Sequence, residues 1–136
     1  MPIRTLLLAA ALLVVSCSRP AAPRPGVFAA VTSFAAAQGE ARASGKLLVV
    51  DVMAEWCGPC KKMDAETWVH EQVVAFLGES AVAYQMNADH DPAAGQMGVE
   101  YLPTIIVYRD GQELGREVGY QSPSQLLGWL TGLRDG

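Results

Sequence analysis

The segment 47–60 constrains the chain more tightly than any other. Leu47, Leu48, Val49, Val50, Val52 and Met53 make a nearly continuous apolar run rich in β-branched residues, the pattern of a strand buried on both faces. One acid, Asp51, interrupts it. Shortly past its end stands Trp56-Cys57-Gly58-Pro59-Cys60, where Pro59 suits the first turn of a helix because its fixed φ and missing N–H cost nothing there. A buried strand that passes so quickly into a helix belongs to a layered α/β domain, and it delivers two cysteines to a helix N-terminus. Unpaired backbone N–H groups and the positive end of the macrodipole favour thiolate over thiol at that place. Cys57 is therefore expected as the exposed nucleophile. Cys60, one turn on, is expected to sit deeper and to act as the resolving thiol, near enough to close a small-ring disulfide. Pro59 removes one backbone donor, which limits thiolate stabilisation and keeps the pair reducing.

The remaining pattern alternates. Residues 33–44 read as an alanine-rich helix stopped by Gly45, 47–53 as the first strand, and 59–77 as a helical stretch broken near 68–70 and stopped by Gly78. A second strand follows at 81–87, then a short helix opened by Asp91-Pro92 and closed by Gly98, then a third strand at 104–108. The turn Arg109-Asp110-Gly111-Gln112 joins it to a strand at 113–118 in a hairpin, and Ser122-Pro123-Ser124-Gln125 forms a capping box that opens a last helix running to about 133. Helices between the early strands imply a parallel start to the sheet, and the closing hairpin makes it mixed. The expected architecture is a central mixed sheet of four to five strands with helices on both faces. A chain of 136 residues, 51% hydrophobic, has room for one such domain and little else.

The N-terminal segment reads differently. Arg4 supplies a positive start, and the apolar run 6–15 is too short to span a bilayer but fits a secretory signal peptide. Val14-Val15-Ser16-Cys17 resembles the bacterial lipobox, whose cysteine becomes the lipidated first residue, and this accounts for the odd one of three cysteines. An ordinary cleaved signal with Cys17 incidental is the alternative. Ser18, where an inner-membrane retention signal would often place Asp, favours the outer membrane if the host has one. Three prolines and two arginines between 18 and 25 make an extended tether, reaching about 25 Å at about 3.1 Å per residue. The expected division is a signal peptide at 1–16, the lipidated Cys17 and its Pro-rich tether at 17–26, and a folded domain at 27–136.

The run Val50-Asp51 through Ala54-Glu55-Trp56-Cys57-Gly58-Pro59-Cys60-Lys61 closely resembles thioredoxin. Leu102-Pro103-Thr104 before an apolar strand resembles the cis-proline loop of that family, and Gly111 and Gly119 fall where its members carry glycine. The resemblance spans roughly 33–133 and implies the thioredoxin fold and a thiol-disulfide oxidoreductase. It assigns Asp51 as the buried carboxylate that exchanges protons with Cys60, and Cys57 and Cys60 as the catalytic pair. Physical chemistry agrees on Asp51, since an acid in an apolar strand loses hydration and its pKa rises; a structural aspartate hydrogen-bonded in the core is the alternative. The resemblance further implies a cis Pro103, a Leu102 backbone free to pair with an extended client segment, and a client-facing surface that includes Trp56, Gly58 and Pro59; an ordinary trans turn proline at 103 and a core tryptophan at 56 are the alternatives. Gln85 departs from the pattern by standing where many thioredoxins carry a lysine near the buried acid, which implies an altered pH profile. The stretch from Lys62-Met63 through Thr67-Trp68 to Val73 looks more like the thioredoxin-like domain of the membrane reductase DsbD, in keeping with an exported protein.

A net charge of −4 leaves no basic face for phosphate backbones, so nucleic acid is not an expected partner. His70 and His90 lack ligand spacing to the cysteines, so no metal is expected. No nucleotide motif is visible, and the only redox group expected is the Cys57–Cys60 disulfide itself. The combined reading is a protein-disulfide reductase on the periplasmic side, anchored through Cys17, acting on client proteins and recharged by a membrane thiol reductase of DsbD type. A thiol-dependent metallochaperone, or a binding module that uses the fold without turnover, is the alternative.

Overall fold

Ser33 opens the first helix, its side chain accepting the backbone N–H of Ala36 at 3.1 Å. Helix α1 (Phe34–Ser44) ends where Gly45 turns left-handed at φ 68° and its N–H returns to Ala41 and Arg42. The chain then enters strand β1 (Leu47–Met53), buried along its whole length. This computed structural model describes residues 24–28 and 30–136. The signal-peptide run, Cys17 and most of the tether lie outside them. Pro25 and Gly26, assigned to the tether from sequence, instead join the fold: Pro25 is buried and its carbonyl accepts the N–H of Phe28 at 3.0 Å, closing a 3₁₀ turn at Gly26–Phe28.

After β1 come α2 (Gly58–Glu66), α3 (Glu71–Ser80), β2 (Ala81–Asn87), a 3₁₀ turn (Ala94–Gln96), β3 (Thr104–Arg109), β4 (Gln112–Val118) and α4 (Pro123–Asp135). The sheet has four strands in the order β2-β1-β3-β4, with β1 and β2 parallel and the other pairs antiparallel. It is the mixed sheet expected from sequence. Asp110 and Gly111 carry φ of 51° and 80° at the hairpin, the left-handed pair that matches the twist of the flanking strands. The capping box at Ser122 and Gln125 is formed in both directions.

Two expectations fail in detail. Gly78 does not stop α3, which continues to Ser80; it ends where Ala81 adopts extended geometry and joins the sheet. The helix expected after Asp91-Pro92 is only the single turn Ala94–Gln96, although Asp91 caps the Ala93 N–H at 2.9 Å as anticipated. Gly95 and Gly98 raise the entropic cost of a helix too short to repay nucleation.

Strand parity sorts the core. Leu48, Val50 and Val52 of β1 join Val82, Tyr84, Met86 and Ile106 on the face covered by Ala37 and Ala41 of α1. Leu47 and Val49 join Ala81, Ala83, Ile105 and Val107 on the opposite face, beneath Met63 of α2, Val73 and Phe76 of α3, and Leu126 and Leu130 of α4. Asp51 and Gln85 continue this second series, and the parallel register sets them directly opposite each other. The fold thus carries two polar side chains into its apolar centre, side by side.

Candidate active site

The end of β1, the start of α2 and the loop before β3 converge on the two cysteines. Cys57 is the N-cap of α2: its carbonyl accepts the Lys61 N–H at 3.2 Å, and its Sγ accepts the Cys60 N–H at 3.2 Å. The sulfur thus occupies the helix position where a capping oxygen would sit, facing an otherwise unpaired donor. Cys57 and Cys60 are joined as a disulfide with Cα atoms 5.3 Å apart. Met53 and Ala54 lie in the same buried cluster, and Leu102 packs against it.

Cys57 is not exposed as sequence had implied; it retains 4% of its surface against 1% for Cys60. In the disulfide its sulfur is bonded to Cys60, and the residue belongs to a buried cluster with Met53 and Ala54 against which Leu102 packs. The ranking of the two is as expected, while the accessibility is not. Around them Trp56 is 71% exposed, Gly58 and Pro59 are exposed, Leu102 is half-buried and Pro103 is buried. The Leu102–Pro103 peptide is cis, and the Pro103 carbonyl accepts the Gly119 N–H at 2.8 Å. Trp56 Nε1 donates to Asp89 Oδ2 at 2.8 Å, which holds the ring over a groove of about 530 Å³ that it shares with Tyr101 and Leu102. Tyr101 was passed over in the sequence, because a lone aromatic in a loop carries no period.

On β1, two residues before Met53, Asp51 is 1% exposed, and Gln85 opposite it is likewise buried. Gln85 Nε2 donates both to Asp51 Oδ2 at 3.1 Å and to Asp64 Oδ1 at 2.9 Å. One amide therefore bridges two carboxyls. Loss of hydration pushes the Asp51 carboxyl up to about 7, opposed by donation from Gln85 and helped by the charge of Asp64. Asp64, half-buried, is also held above the ordinary range by desolvation, against the pull of Gln85. Sequence reading missed Asp64. The signal was its spacing: it lies one helical turn beyond Cys60, on the same side of α2.

The sequence profile of the family described as a thioredoxin-like domain matches residues 34–133. The chain belongs to the thioredoxin-like family. It is 41% identical over 86 residues to the thioredoxin of Chlamydia muridarum, covering 62% of this chain and 79% of that protein. It is 37% identical over 81 residues to the thioredoxin of Chlamydia caviae, with 60% and 76% covered. The solved thioredoxin of Fasciola hepatica superposes with a TM-score of 0.60 at 26% identity over 72% of this chain and 91% of that one. A thioredoxin of Halobacterium salinarum, solved as a point mutant, shares the fold at a TM-score of 0.57 and 23% identity, over 70% of this chain and 80% of that one.

As a thioredoxin-like protein, the chain carries the pair of a thiol-disulfide oxidoreductase at Cys57 and Cys60. The geometry explains what such a pair can do. A sulfur at a helix cap is stabilised as thiolate, its partner one turn on can reach it, and a carboxyl that changes charge near neutrality sits in the adjoining core. Elsewhere His70 caps α3, its Nδ1 accepting the Gln72 N–H at 3.3 Å, which is a structural use of that side chain.

Proposed function

We propose that the protein is an exported protein-disulfide reductase, held at the outer side of the cytoplasmic membrane, or at the outer membrane if the host has one, by a lipid on Cys17. The observation that carries the catalytic part is the Cys57 sulfur accepting the Cys60 N–H at the cap of α2, with Asp51 buried on β1 two residues before Met53, which shares the cysteines' cluster. In the reduced protein the Cys57 thiolate attacks a client disulfide, forming a mixed disulfide and releasing one client sulfur, which takes up a proton. The Cys60 thiol gives its proton to Asp51 and attacks the Cys57 sulfur, releasing the second client sulfur, which takes up the proton that Asp51 holds. The client gains two electrons and two protons, and Cys57 and Cys60 are left as a disulfide. No further cofactor takes part. A membrane thiol reductase of DsbD type is the donor that returns the two electrons. The location rests on the signal-like N-terminus and on the resemblance of 62–73 to the exported domain of that reductase.

Replacing Cys60 by Ser tests the reading, because a protein that lacks the resolving thiol is expected to accumulate mixed disulfides on Cys57 in envelope extracts. Traps that stay empty under conditions in which Cys57 is alkylatable count against a reductase. Labelling with radioactive fatty acid, lost when Cys17 becomes Ala, tests the anchor separately.

A further inference from the structure

Asp51 spends one carboxyl oxygen on Gln85. Its other oxygen, Oδ1, is buried without a hydrogen-bond partner among the described residues, and so is the indole Nε1 of Trp68. One is an acceptor without a donor and the other a donor without an acceptor. They share a location: Trp68 belongs to the apolar cluster on the sheet face that carries Leu47 and Val49, the face onto which strand parity also turns Asp51. The ring is fixed there. The backbone N–H of Trp68 donates to the Met63 carbonyl at 3.0 Å, and Phe28 packs edge-on against the ring with centroids 5.0 Å apart. A buried tryptophan needs an acceptor for its N–H, and a buried carboxylate with one bonded oxygen needs a second donor.

We propose that the indole N–H of Trp68 is the second donor to the Asp51 carboxylate, a positioning contact that steadies the charged form of the acid while Cys60 reacts. A phenylalanine would keep a smaller aromatic ring there and supply no donor. The other groups around the acid leave this role open. From α2 come Asp64, a like charge, and the thiols of Cys57 and Cys60 once reduced; from β2 comes the Gln85 amide, already bonded to the other oxygen; β3 sets Ile105 opposite Asp51, and the buried residues that α3 and α4 bring to this face among the described residues, Val73, Phe76, Leu77, Leu126 and Leu130, are apolar. Trp68 also draws the Asp51 carboxyl down from where desolvation alone would leave it.

The proposal rests on Asp51 as the acceptor of the Cys60 proton only for its catalytic consequence, and the tests separate the two. In the unmodified oxidised protein, the ¹⁵N resonance of the Trp68 indole is expected to titrate with the same midpoint as the Asp51 carboxyl carbon, and to become flat in Asp51→Asn. In Trp68→Phe the Asp51 midpoint is expected to rise by about one pH unit, as loss of a donor to the charged form dictates. The acid limb of disulfide reduction is expected to rise with it. An indole resonance that ignores the titration of Asp51 in the unmodified protein overturns the contact, whether or not the variant folds. An unmoved midpoint in a folded Trp68→Phe overturns it too. A midpoint that moves while the reduction profile stays in place upholds the contact and refutes Asp51 as the proton acceptor.

Discussion

Replacing Asp51 by Asn is expected to stabilise the oxidised protein, and to do so more strongly as pH rises. Its folded-state pKa is raised from 3.8 to about 7, so the direction is the reverse of a salt-bridged carboxylate. Below 3.8 the acid is protonated whether the chain is folded or not, and it contributes nothing. Between 3.8 and about 7 the folded protein keeps a proton that the unfolded chain has released, so stability falls as pH rises. Above that window the loss is complete. At about 1.4 kcal/mol per pH unit, the gap amounts to about 4 kcal/mol at pH 8 and less than about 1 kcal/mol at pH 4. Asparagine has nearly the same shape and no charge, so it removes the loss without opening a cavity. Urea unfolding of both oxidised proteins at the two pH values measures it, with unchanged slopes as the check on a common unfolded state. A stability difference between the two proteins that is equal at pH 4 and pH 8 would falsify the argument, because it would mean that Asp51 titrates in the folded protein as it does in water.

The neighbours of Asp51 give further tests. Gln85→Lys places a cation where the amide now lies 3.1 Å from Asp51 and 2.9 Å from Asp64; the Asp51 midpoint is expected to fall by about 1–3 units. The acid limb of client reduction by the pre-reduced protein is expected to move with it, and a profile that does not move refutes the link between Gln85 and catalysis. Asp64→Asn removes the like charge that helps raise Asp51, so the midpoint of Asp51, followed by its carboxyl carbon resonance, is expected to drop by about one unit; a rise would show that Asp64 acts mainly by holding Gln85 in place.

Local rules carried the fold in the sequence, and they failed where distant parts of the chain decide. Strand β1 was legible because seven residues buried on both faces leave almost no polar position. The cap at Ser33, the stop at Gly45 and the capping box at Ser122 are each written within a few residues. The break between α2 and α3 was visible only as a weakened pattern. In the folded chain the Thr67 hydroxyl donates to the Gln121 carbonyl at 2.7 Å, a tie across the molecule that no window of sequence contains. The site divides the same way. Cys57, Cys60 and Asp51 were legible because strand, turn and helix follow one another directly. Asp64 and Trp68 were not, because their relation to Asp51 depends on how the end of α2 lies against the sheet.

Gln85 marks the boundary between the two kinds of information. Its chemistry is an ordinary amide, and its role follows from a parallel register that sets it opposite Asp51 while α2 brings Asp64 to its other side. A lysine there would satisfy one carboxylate by charge. The amide instead satisfies two by donation alone, and it leaves the cell of Asp51, Asp64 and Gln85 with no cation of its own. Desolvation then prevails over hydrogen bonding, which is why the Asp51 carboxyl rises to about 7 rather than settling in the ordinary acid range. The stability lost by burying an acid that ionises near neutrality and the usefulness of that acid beside a thiol have the same physical origin, so a substitution that restores the first is expected to diminish the second.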